Sequence, residues 1–320
     1  MKGILPTEEL PNLHFQDRAS LLNLIKTCGK EKNLCKARKI HKDMVRQDLI
    51  TRDVYVGTAL LTTYAKCGAL REAREVFENL SVQDVVAWNA LIAGYAQKGH
   101  GHEAIKCFHQ MQDEGISSNA ITYICVLKAC SIAECLTLGE DIDARVRKLG
   151  LLEKDIVLGN TLVDMYAKCG ALEKAREVFE QLPKRDVVSW NSLIAGYIQH
   201  GFGDKAIKWF RKMQDEGVCP DAITYICVLK ACSVIRSLEL GQEIDTEIRK
   251  CGLLQQDILL ATTLLGMYAK CGALQKAREV FDQLPSRDNV AWNALIAGYT
   301  EYGLGDEALK CFQLMRDAGA

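Results

Sequence analysis

The cysteines are the residues of this 320-residue chain whose number first suggests chemistry, since there are 14 of them. Zinc sites, redox motifs and c-type haem attachment need two cysteines in C-x-x-C spacing, and the sequence has no such pair. Disulfide scaffolds are typical of short secreted chains, which this is not. Several cysteines recur in register instead, as Cys67, Cys169 and Cys271 do. We therefore expect small buried hydrophobic side chains rather than metal ligands or nucleophiles.

Other catalytic patterns are missing as well. The sequence contains no Walker loop, and neither a Ser–His–Asp set nor a paired-carboxylate cleft stands out. The chain is therefore predicted not to be an enzyme and to need no cofactor.

Charge and hydropathy narrow the class of protein. Lys and Arg number 40 against 41 Asp and Glu, and 48% of the residues are apolar, which is typical of a folded soluble chain. The sequence contains no run of eighteen apolar residues, so no transmembrane helix is predicted. The first residues include Glu8, Glu9 and Asp17, which argues against a signal peptide or an obvious transit peptide. A net charge of −1 excludes nucleic-acid binding by bulk charge alone.

An internal repeat dominates the sequence. "YAKCGAL" begins at Tyr64, Tyr166 and Tyr268, and "AITYICVLKACS" begins at Ala120 and Ala222, always 102 residues apart. Within each unit, segments of 36, 31 and 35 residues end on an Asp or Asn. These closing residues are Asp53, Asp84, Asn119, Asp155, Asp186, Asp221, Asp257 and Asp288.

Each segment has the pattern of two helices. In 85–119, apolar residues fall at helical spacing before and after Gly99–Gly101: Trp88, Leu91, Ile92 and Tyr95, then Ala104, Ile105, Phe108 and Met111. No period-two pattern is sustained, so the fold is predicted to be all-α. One hairpin cannot bury both its faces, so the hairpins must stack into a solenoid. The sequence stops in mid-repeat, which we interpret as a fragment or a chain that would continue.

The segment order and four consensus strings identify a family. The strings are "LLTTYAKCGALREAREVFENL", "VVAWNALIAGYAQKG", "HEAIKCFHQMQDEG" and "YICVLKAC". Together they resemble the pentatricopeptide repeat (PPR) family of plants, in its mixed class of P, L and S repeats. That resemblance implies a right-handed superhelical solenoid whose concave face is lined by the first helix of each pair. After a leader at 1–17, the repeats are L 18–53, S 54–84, P 85–119, L 120–155, S 156–186, P 187–221, L 222–257, S 258–288 and an incomplete P 289–320.

The resemblance also implies a function, namely sequence-specific binding of single-stranded RNA with one base per repeat and the N-terminus at the 5′ end. In this family the fifth residue of the first helix and the closing residue select the base. Two pairs resemble the family's guanine-selecting pair: Thr58 with Asp84 and Thr262 with Asp288. Two resemble its uracil pair: Asn160 with Asp186 and Asn191 with Asp221. Asn89 with Asn119 resembles a pyrimidine pair that favours cytosine, and Asn293 also suggests a pyrimidine. The L repeats place Leu22, Ile124 and Ile226 there, which cannot pair with a base edge. The predicted target is 5′-NGYNUUNGY-3′.

Two further sets of residues are carried over from the family. The second residue of the first helix stacks on bases, and these residues are Tyr55, Val86, Val157, Val188, Leu259 and Val290. The thirteenth residue reaches a phosphate in S repeats, and these residues are Lys66, Lys168 and Lys270. The P repeats have Gln97, Gln199 and Glu301 there, which weakens the electrostatic attraction.

Simpler interpretations stand beside these. The closing Asp can be an N-cap for the next helix, and the Asn after each Trp can simply pin the helix start. The lysines can be solvated surface charges, and the Trp residues are expected in the core. At the level of function, a peptide-binding scaffold is the main alternative. Self-association through the uncapped ends is another.

Mixed-class members often carry a C-terminal deaminase that edits cytidine in organelle transcripts. Such a domain needs H-x-E and C-x-x-C motifs to bind zinc, and His102–Glu103 lacks that spacing. We therefore expect catalysis, if any, from a further domain or a partner. The resemblance also implies editing cofactor proteins at L repeats and a mitochondrial or chloroplast location.

Overall fold

The computed structural model describes residues 18–319, so the leader assigned to 1–17 and Ala320 lie outside the described residues. Between Arg18 and Gly319 the chain forms nineteen helices and no strand, which confirms the all-α prediction. None of these helices is long and apolar enough to cross a membrane. The chain divides into two compact units, Met1–Leu151 and Leu152–Ala320, whose boundary lies in the loop before Asp155.

The first unit contains nine helices in its described part. They are α1 (Arg18–Glu31), α2 (Leu34–Arg46), α3 (Leu49–Arg52), α4 (Val54–Cys67), α5 (Leu70–Glu78), α6 (Val85–Gln97), α7 (Gly101–Asp113), α8 (Ala120–Ala133) and α9 (Leu136–Lys148). Helices α1, α4, α6 and α8 pack consecutively against one another, and each is followed by its hairpin partner. We call helices of this kind first helices, and their hairpin partners second helices.

The second unit repeats the arrangement with ten helices between Leu152 and Gly319. They are α10 (Ile156–Lys168), α11 (Leu172–Gln181), α12 (Val187–Gln199), α13 (Gly203–Asp215), α14 (Ala222–Ile235), α15 (Leu238–Lys250), α16 (Ile258–Lys270), α17 (Leu274–Gln283), α18 (Asn289–Glu301) and α19 (Gly305–Asp317). The first helices here are α10, α12, α14, α16 and α18, and neighbours in that series pack together.

Edge-to-face aromatic pairs join α5 to α6 and α11 to α12. The rings of Phe77 and Trp88 lie 4.5 Å apart in the first unit, and those of Phe179 and Trp190 lie 4.7 Å apart in the second. Both Trp side chains are buried, as the sequence predicts. Such pairs stabilise by about 0.5–1.5 kcal/mol beyond the area they bury. These contacts fix the position of the first turn of α6 and of α12, and the candidate site residues Asn89 and Asn191 come directly after the two Trp residues.

A close approach of backbones sets the spacing between neighbouring first helices. A Cβ on Gly94 would lie 2.6 Å from the Cβ of Ala65, and one on Gly196 would lie 2.4 Å from that of Ala167. Real Cβ atoms do not approach so closely, so glycine is required for α6 to pack on α4 and for α12 to pack on α10. The distance between successive candidate site residues follows from this contact.

The cysteines are all free thiols. Burial raises the pKa of Cys227 to about 11 and that of Cys232 to about 12, so both are protonated at neutral pH. The expectation of burial, which concerns the cysteines that recur, is confirmed for Cys28, Cys125, Cys130, Cys227 and Cys232, whereas the recurring Cys67, Cys169 and Cys271 are only half-buried. Cys35, Cys219 and Cys251, which do not recur, are exposed. Within residues 18–319, no group of His, Cys, Asp and Glu could hold a metal ion.

Candidate nucleic-acid interface

An exposed row of apolar side chains follows the starts of the first helices. The second residues predicted to stack on bases are 52–75% exposed: Tyr55, Val86, Val157, Val188, Leu259 and Val290. Ile121 and Ile223, which hold the same position in α8 and α14, are 59% exposed. Sequence reasoning missed these two, although their place in the helix is the same. We call these eight residues the apolar row; within each unit its members lie on consecutive first helices.

The predicted asparagine pairs are hydrogen-bonded. Asn89 donates through Nδ2 to Oδ1 of Asn119 at 3.2 Å. Asn160 donates to Oδ1 of Asp186 at 3.0 Å, and Asn191 donates to Oδ1 of Asp221 at 3.0 Å. The three Asn side chains are each 7% exposed. The fold thus brings the fifth residue of the first helix to the closing residue of its own segment, 26 to 30 positions later.

The closing residues are also helix N-caps. Oδ1 of Asp84 accepts hydrogen bonds from the backbone N–H groups of Val86 and Ala87. Asn119, Asp186 and Asp221 form capping boxes with the third residue of the following helix. The capping interpretation is therefore correct, and it does not compete with pairing, because three of these caps also accept the bond from an asparagine.

The two threonine pairs differ from the asparagine pairs. Thr262 donates its hydroxyl to the carbonyl oxygen of Ile258 at 2.8 Å, within its own helix. Among residues 18–319, no hydrogen bond joins Thr58 to Asp84 or Thr262 to Asp288. The carboxylates of these pairs therefore cap the next helix without contacting the fifth residue.

Asn293 and the predicted L-repeat residues Leu22, Ile124 and Ile226 differ from the paired positions. The Asn293 side chain is exposed. Leu22 and Ile124 are half-buried, and Ile226 is buried. The three L positions offer no hydrogen-bonding group, as their residue types dictate.

Hydrogen bonds keep two closing carboxylates ionised. Partial burial raises the pKa of Asp186, but bonds from the Ser189 N–H, the Ser189 hydroxyl and Asn160 outweigh it and leave the pKa lowered. At Asp221, burial is likewise outweighed by bonds from Thr224 and Asn191, and its pKa is also lowered. Both groups are therefore hydrogen-bond acceptors at neutral pH.

The amide oxygens of the asparagines have different surroundings. Oδ1 of Asn191 accepts a bond from the Thr224 hydroxyl at 2.7 Å. Oδ1 of Asn89 and Oδ1 of Asn160 are buried without a partner. In every pair the amide nitrogen rather than the oxygen contacts the closing residue, so one amide proton of each asparagine is left for another acceptor.

The three lysines predicted to contact phosphates are exposed, with one difference. Nζ of Lys168 forms an ion pair with Oδ2 of Asp164 at 2.9 Å. Within the described part of the chain, Lys66 and Lys270 have no such carboxylate partner. Lys168 is therefore partly neutralised, and its charge is less available than that of the other two.

The sequence matches two repeat-family profiles. A profile described as the PPR repeat family matches residues 83–131 and 185–233. A second, described as the PPR repeat, matches 58–83, 160–187, 261–289 and 290–319. These ranges include both residues of each of the three asparagine pairs.

Relatives and solved structures extend the match to the whole chain. A chloroplastic pentatricopeptide repeat-containing protein of Arabidopsis thaliana is 38% identical over 317 residues, which are 99% of this chain and 50% of that protein. A putative mitochondrial one from the same plant is 37% identical over 311 residues, 96% of this chain and 48% of the relative. The chain thus spans about half the length of these curated relatives.

The crystal structure of the pentatricopeptide repeat protein PPR10 from maize superposes with a TM-score of 0.73 at 19% identity, over 95% of this chain and 44% of that one. PPR10 in complex with an 18-nt psaJ RNA element matches equally well, over 45% of its chain. Within each unit, fold and site therefore define stacked helical hairpins with a repeated polar pair at the first helices. The chain belongs to the pentatricopeptide repeat family.

Proposed function

We propose that this chain is a sequence-specific binding module for single-stranded RNA that contacts one base per repeat. The observation that carries the proposal is the set of three hydrogen-bonded Asn–closing-residue pairs beside the apolar row. The crystallised complex of PPR10 with RNA supports it by analogy of fold.

Uracil complements the Asn–Asp pairs. Asn191 keeps one amide proton to donate, and Asp221 keeps its second carboxylate oxygen to accept, because Oδ1 receives the bonds from Asn191 and Thr224. Uracil offers a carbonyl oxygen beside an N3–H donor, so donor meets acceptor at both places. Asn160 with Asp186 presents the same pattern.

Cytosine suits the Asn–Asn pair better. Asn119 uses Oδ1 to accept the bond from Asn89, which leaves its own amide nitrogen as a donor. Cytosine N3 is an acceptor where uracil N3–H is a donor. At the Thr–Asp positions the carboxylate of Asp84 can accept from the N–H groups of guanine. A buried polar group without a partner costs about 1–3 kcal/mol, which is enough to set a preference at each position.

Base stacking on the apolar row supplies the part of the affinity that is independent of sequence. Valine, leucine and tyrosine side chains that are half or more exposed are suited to contact unstacked bases. Because the net charge is −1, phosphate attraction depends on individually placed lysines rather than on the charge of the whole chain.

The proposed ligand is 5′-NGYNUUNGY-3′, read by repeats in L–S–P order. The proposed setting is a plant organelle, since relatives are named chloroplastic or mitochondrial. There the module selects transcripts for editing or processing, with catalysis by another domain or by a partner and accessory editing proteins at the L repeats.

A binding titration tests the proposal. Wild-type protein is titrated with 5′-NGYNUUNGY-3′ RNA and with a strand in which G and U are exchanged, at two salt concentrations. We expect tighter binding of the first strand, weakened by salt, and we expect Thr58→Asn to shift the preference at its position from G to U. Equal binding of both strands would contradict base selection. Binding of neither would favour the peptide scaffold, and light scattering measures self-association separately.

A further inference from the structure

The first helices of two L repeats each contain one charged residue. In α8 it is Lys128 and in α14 it is Lys230, within otherwise apolar and small polar sequences of 14 residues. The first L helix, α1, has Lys26 at the same place, 102 residues before Lys128. All three side chains are exposed. We call them the L-repeat lysines.

Helix geometry places these lysines on the face that carries the apolar row. Lys128 follows Ile124 by four residues and Ile121 by seven, so all three lie on one stripe of α8. Ile121 is 59% exposed, which shows that this stripe faces solvent. In α14, Ile223 and Lys230 repeat the relation. The side chains of Lys128 and Lys230 therefore each lie two helical turns from a residue of the apolar row, and Lys26 holds the same helix position in α1.

Helix stabilisation does not account for the L-repeat lysines. No acidic residue stands three or four positions before or after any of them. Within residues 18–319, none of the three forms an ion pair with a carboxylate. Lys168 shows the opposite case, because Asp164 lies four residues before it and forms an ion pair with it at 2.9 Å.

We propose that Lys26, Lys128 and Lys230 are phosphate-binding residues, so that L repeats hold the RNA backbone at the positions where they cannot select a base. The inference rests on the proposed function and names a role for repeats whose fifth residue is Leu or Ile. A lysine ammonium is a compact point charge suited to a single phosphate oxygen. Every third repeat would then hold the strand without reading it.

The test compares two double variants that remove the same charge. Lys128→Met/Lys230→Met removes two of the proposed contacts. Lys106→Met/Lys208→Met removes two exposed lysines from the second helices α7 and α13, again 102 residues apart. Methionine keeps the length of the side chain and the helix propensity. For each protein, the dissociation constant for 5′-NGYNUUNGY-3′ and for the G↔U-exchanged strand is measured between 50 and 200 mM salt.

Each phosphate contact with a single strand contributes about 0.7 to the slope of log affinity against log salt. We expect the slope of the L-repeat double variant to fall by about 1.4, which reduces the loss of affinity over this fourfold salt range by about sevenfold. The ratio between the two strands should not change. The α7/α13 variant should keep the wild-type slope.

Two outcomes separate this inference from the proposed function, and a third overturns both. Equal slopes for the two double variants, with base preference intact in the wild type, would overturn the inference alone. A reduced slope for the L-repeat variant in a protein that binds both strands equally would support the inference and overturn base selection. Absence of RNA binding by the wild type would overturn both.

Discussion

The segments 85–119 and 187–221 share most of their sequence, yet the first ends on an asparagine and the second on an aspartate. Asn89 and Asn191 occupy the same place and donate to the closing residue over 3.2 and 3.0 Å. In the first repeat that residue is Asn119, with an amide nitrogen left to donate, whereas in the second it is Asp221, with a carboxylate oxygen left to accept. Two nearly identical repeats can therefore present different hydrogen-bonding groups, because an amide nitrogen in one replaces a carboxylate oxygen in the other.

The threonines behind the two pairs also differ. The Thr122 hydroxyl contacts Oδ1 of Asn119 at 3.1 Å, while the Thr224 hydroxyl contacts Oδ1 of Asn191 at 2.7 Å as well as Asp221. The oxygen of Asn89 is left without a partner. The Asn191 side chain of the Asn191–Asp221 pair thus has one hydrogen-bond partner more than that of Asn89 in the Asn89–Asn119 pair.

Replacing the buried Trp88 or Trp190 should have the largest effect on the stability of the protein. Trp88→Ala and Trp190→Ala should each destabilise the protein by about 3–5 kcal/mol, because each leaves a large cavity. The cost should be greater at Trp190, whose ring lies 6.0 Å from that of Trp209, whereas Cys107 holds the corresponding place in the first repeat. Urea unfolding measures both. Trp209→Cys should reduce the difference between the two variants, and an unchanged difference would contradict this explanation.

Overpacking the contact between first helices should come next. Gly94→Ala and Gly196→Ala should each cost about 1–3 kcal/mol, since the new Cβ would lie within 2.6 Å of Ala65 Cβ or 2.4 Å of Ala167 Cβ. Thermal unfolding reports the loss. Ala65→Gly combined with Gly94→Ala is the control, and failure of this pair to recover stability would show that the close approach is not the cause.

The threonine difference predicts a smaller effect. Thr122→Val and Thr224→Val both lose a capping-box hydroxyl, but only the second leaves the Asn191 oxygen without a donor. Thr224→Val should therefore be more destabilising by about 1 kcal/mol. Urea unfolding of the two variants and of Thr→Ser versions, which keep the hydroxyl, measures it. Equal losses would mean that the bond to Asn191 contributes nothing.

Low pH should have the smallest effect on stability, and it should act on the Asp221 pair but not on the Asn119 pair, since asparagine does not titrate. The pKa of Asp221 is lowered in the folded protein, so its ionised form stabilises the fold above the ordinary pKa of an aspartate, and this is lost as pH falls through the lowered value. The advantage of wild type over Asp221→Asn should shrink between pH 6 and pH 3. Urea unfolding at both pH values checks it, and a constant gap would contradict the ionic contribution.

Much of the fold could be predicted from sequence because its signals are local and repeated. The Trp88 stripe and the Gly99–Gly101 break specify a helical hairpin, and the 102-residue repeat supplies each pattern again. Burial of the Trp residues followed from the same periodicity. The exposure of Cys35, Cys219 and Cys251 could not be predicted in this way, because these three residues do not recur at the 102-residue spacing.

The site was less predictable where it depends on side-chain rotamers. The pairing of Asn89 with Asn119 follows from their positions in the repeat. The contacts of the Thr224 hydroxyl with Asp221 and Asn191 depend instead on interatomic distances, which the number of residues between them does not determine. The ion pair of Lys168 could have been found, since Asp164 lies four residues before it.

Exchange of the two closing residues tests the central claim most directly. Asn119→Asp and Asp221→Asn keep side-chain size and N-capping ability, so both variants should fold. With RNAs that carry U or C at the corresponding base, Asn119→Asp should change its repeat from favouring C to favouring U, and Asp221→Asn should do the reverse. A cost of about 1–3 kcal/mol for the mismatched base predicts changes of roughly five- to 150-fold. Unchanged preferences at both positions would contradict base selection by these pairs.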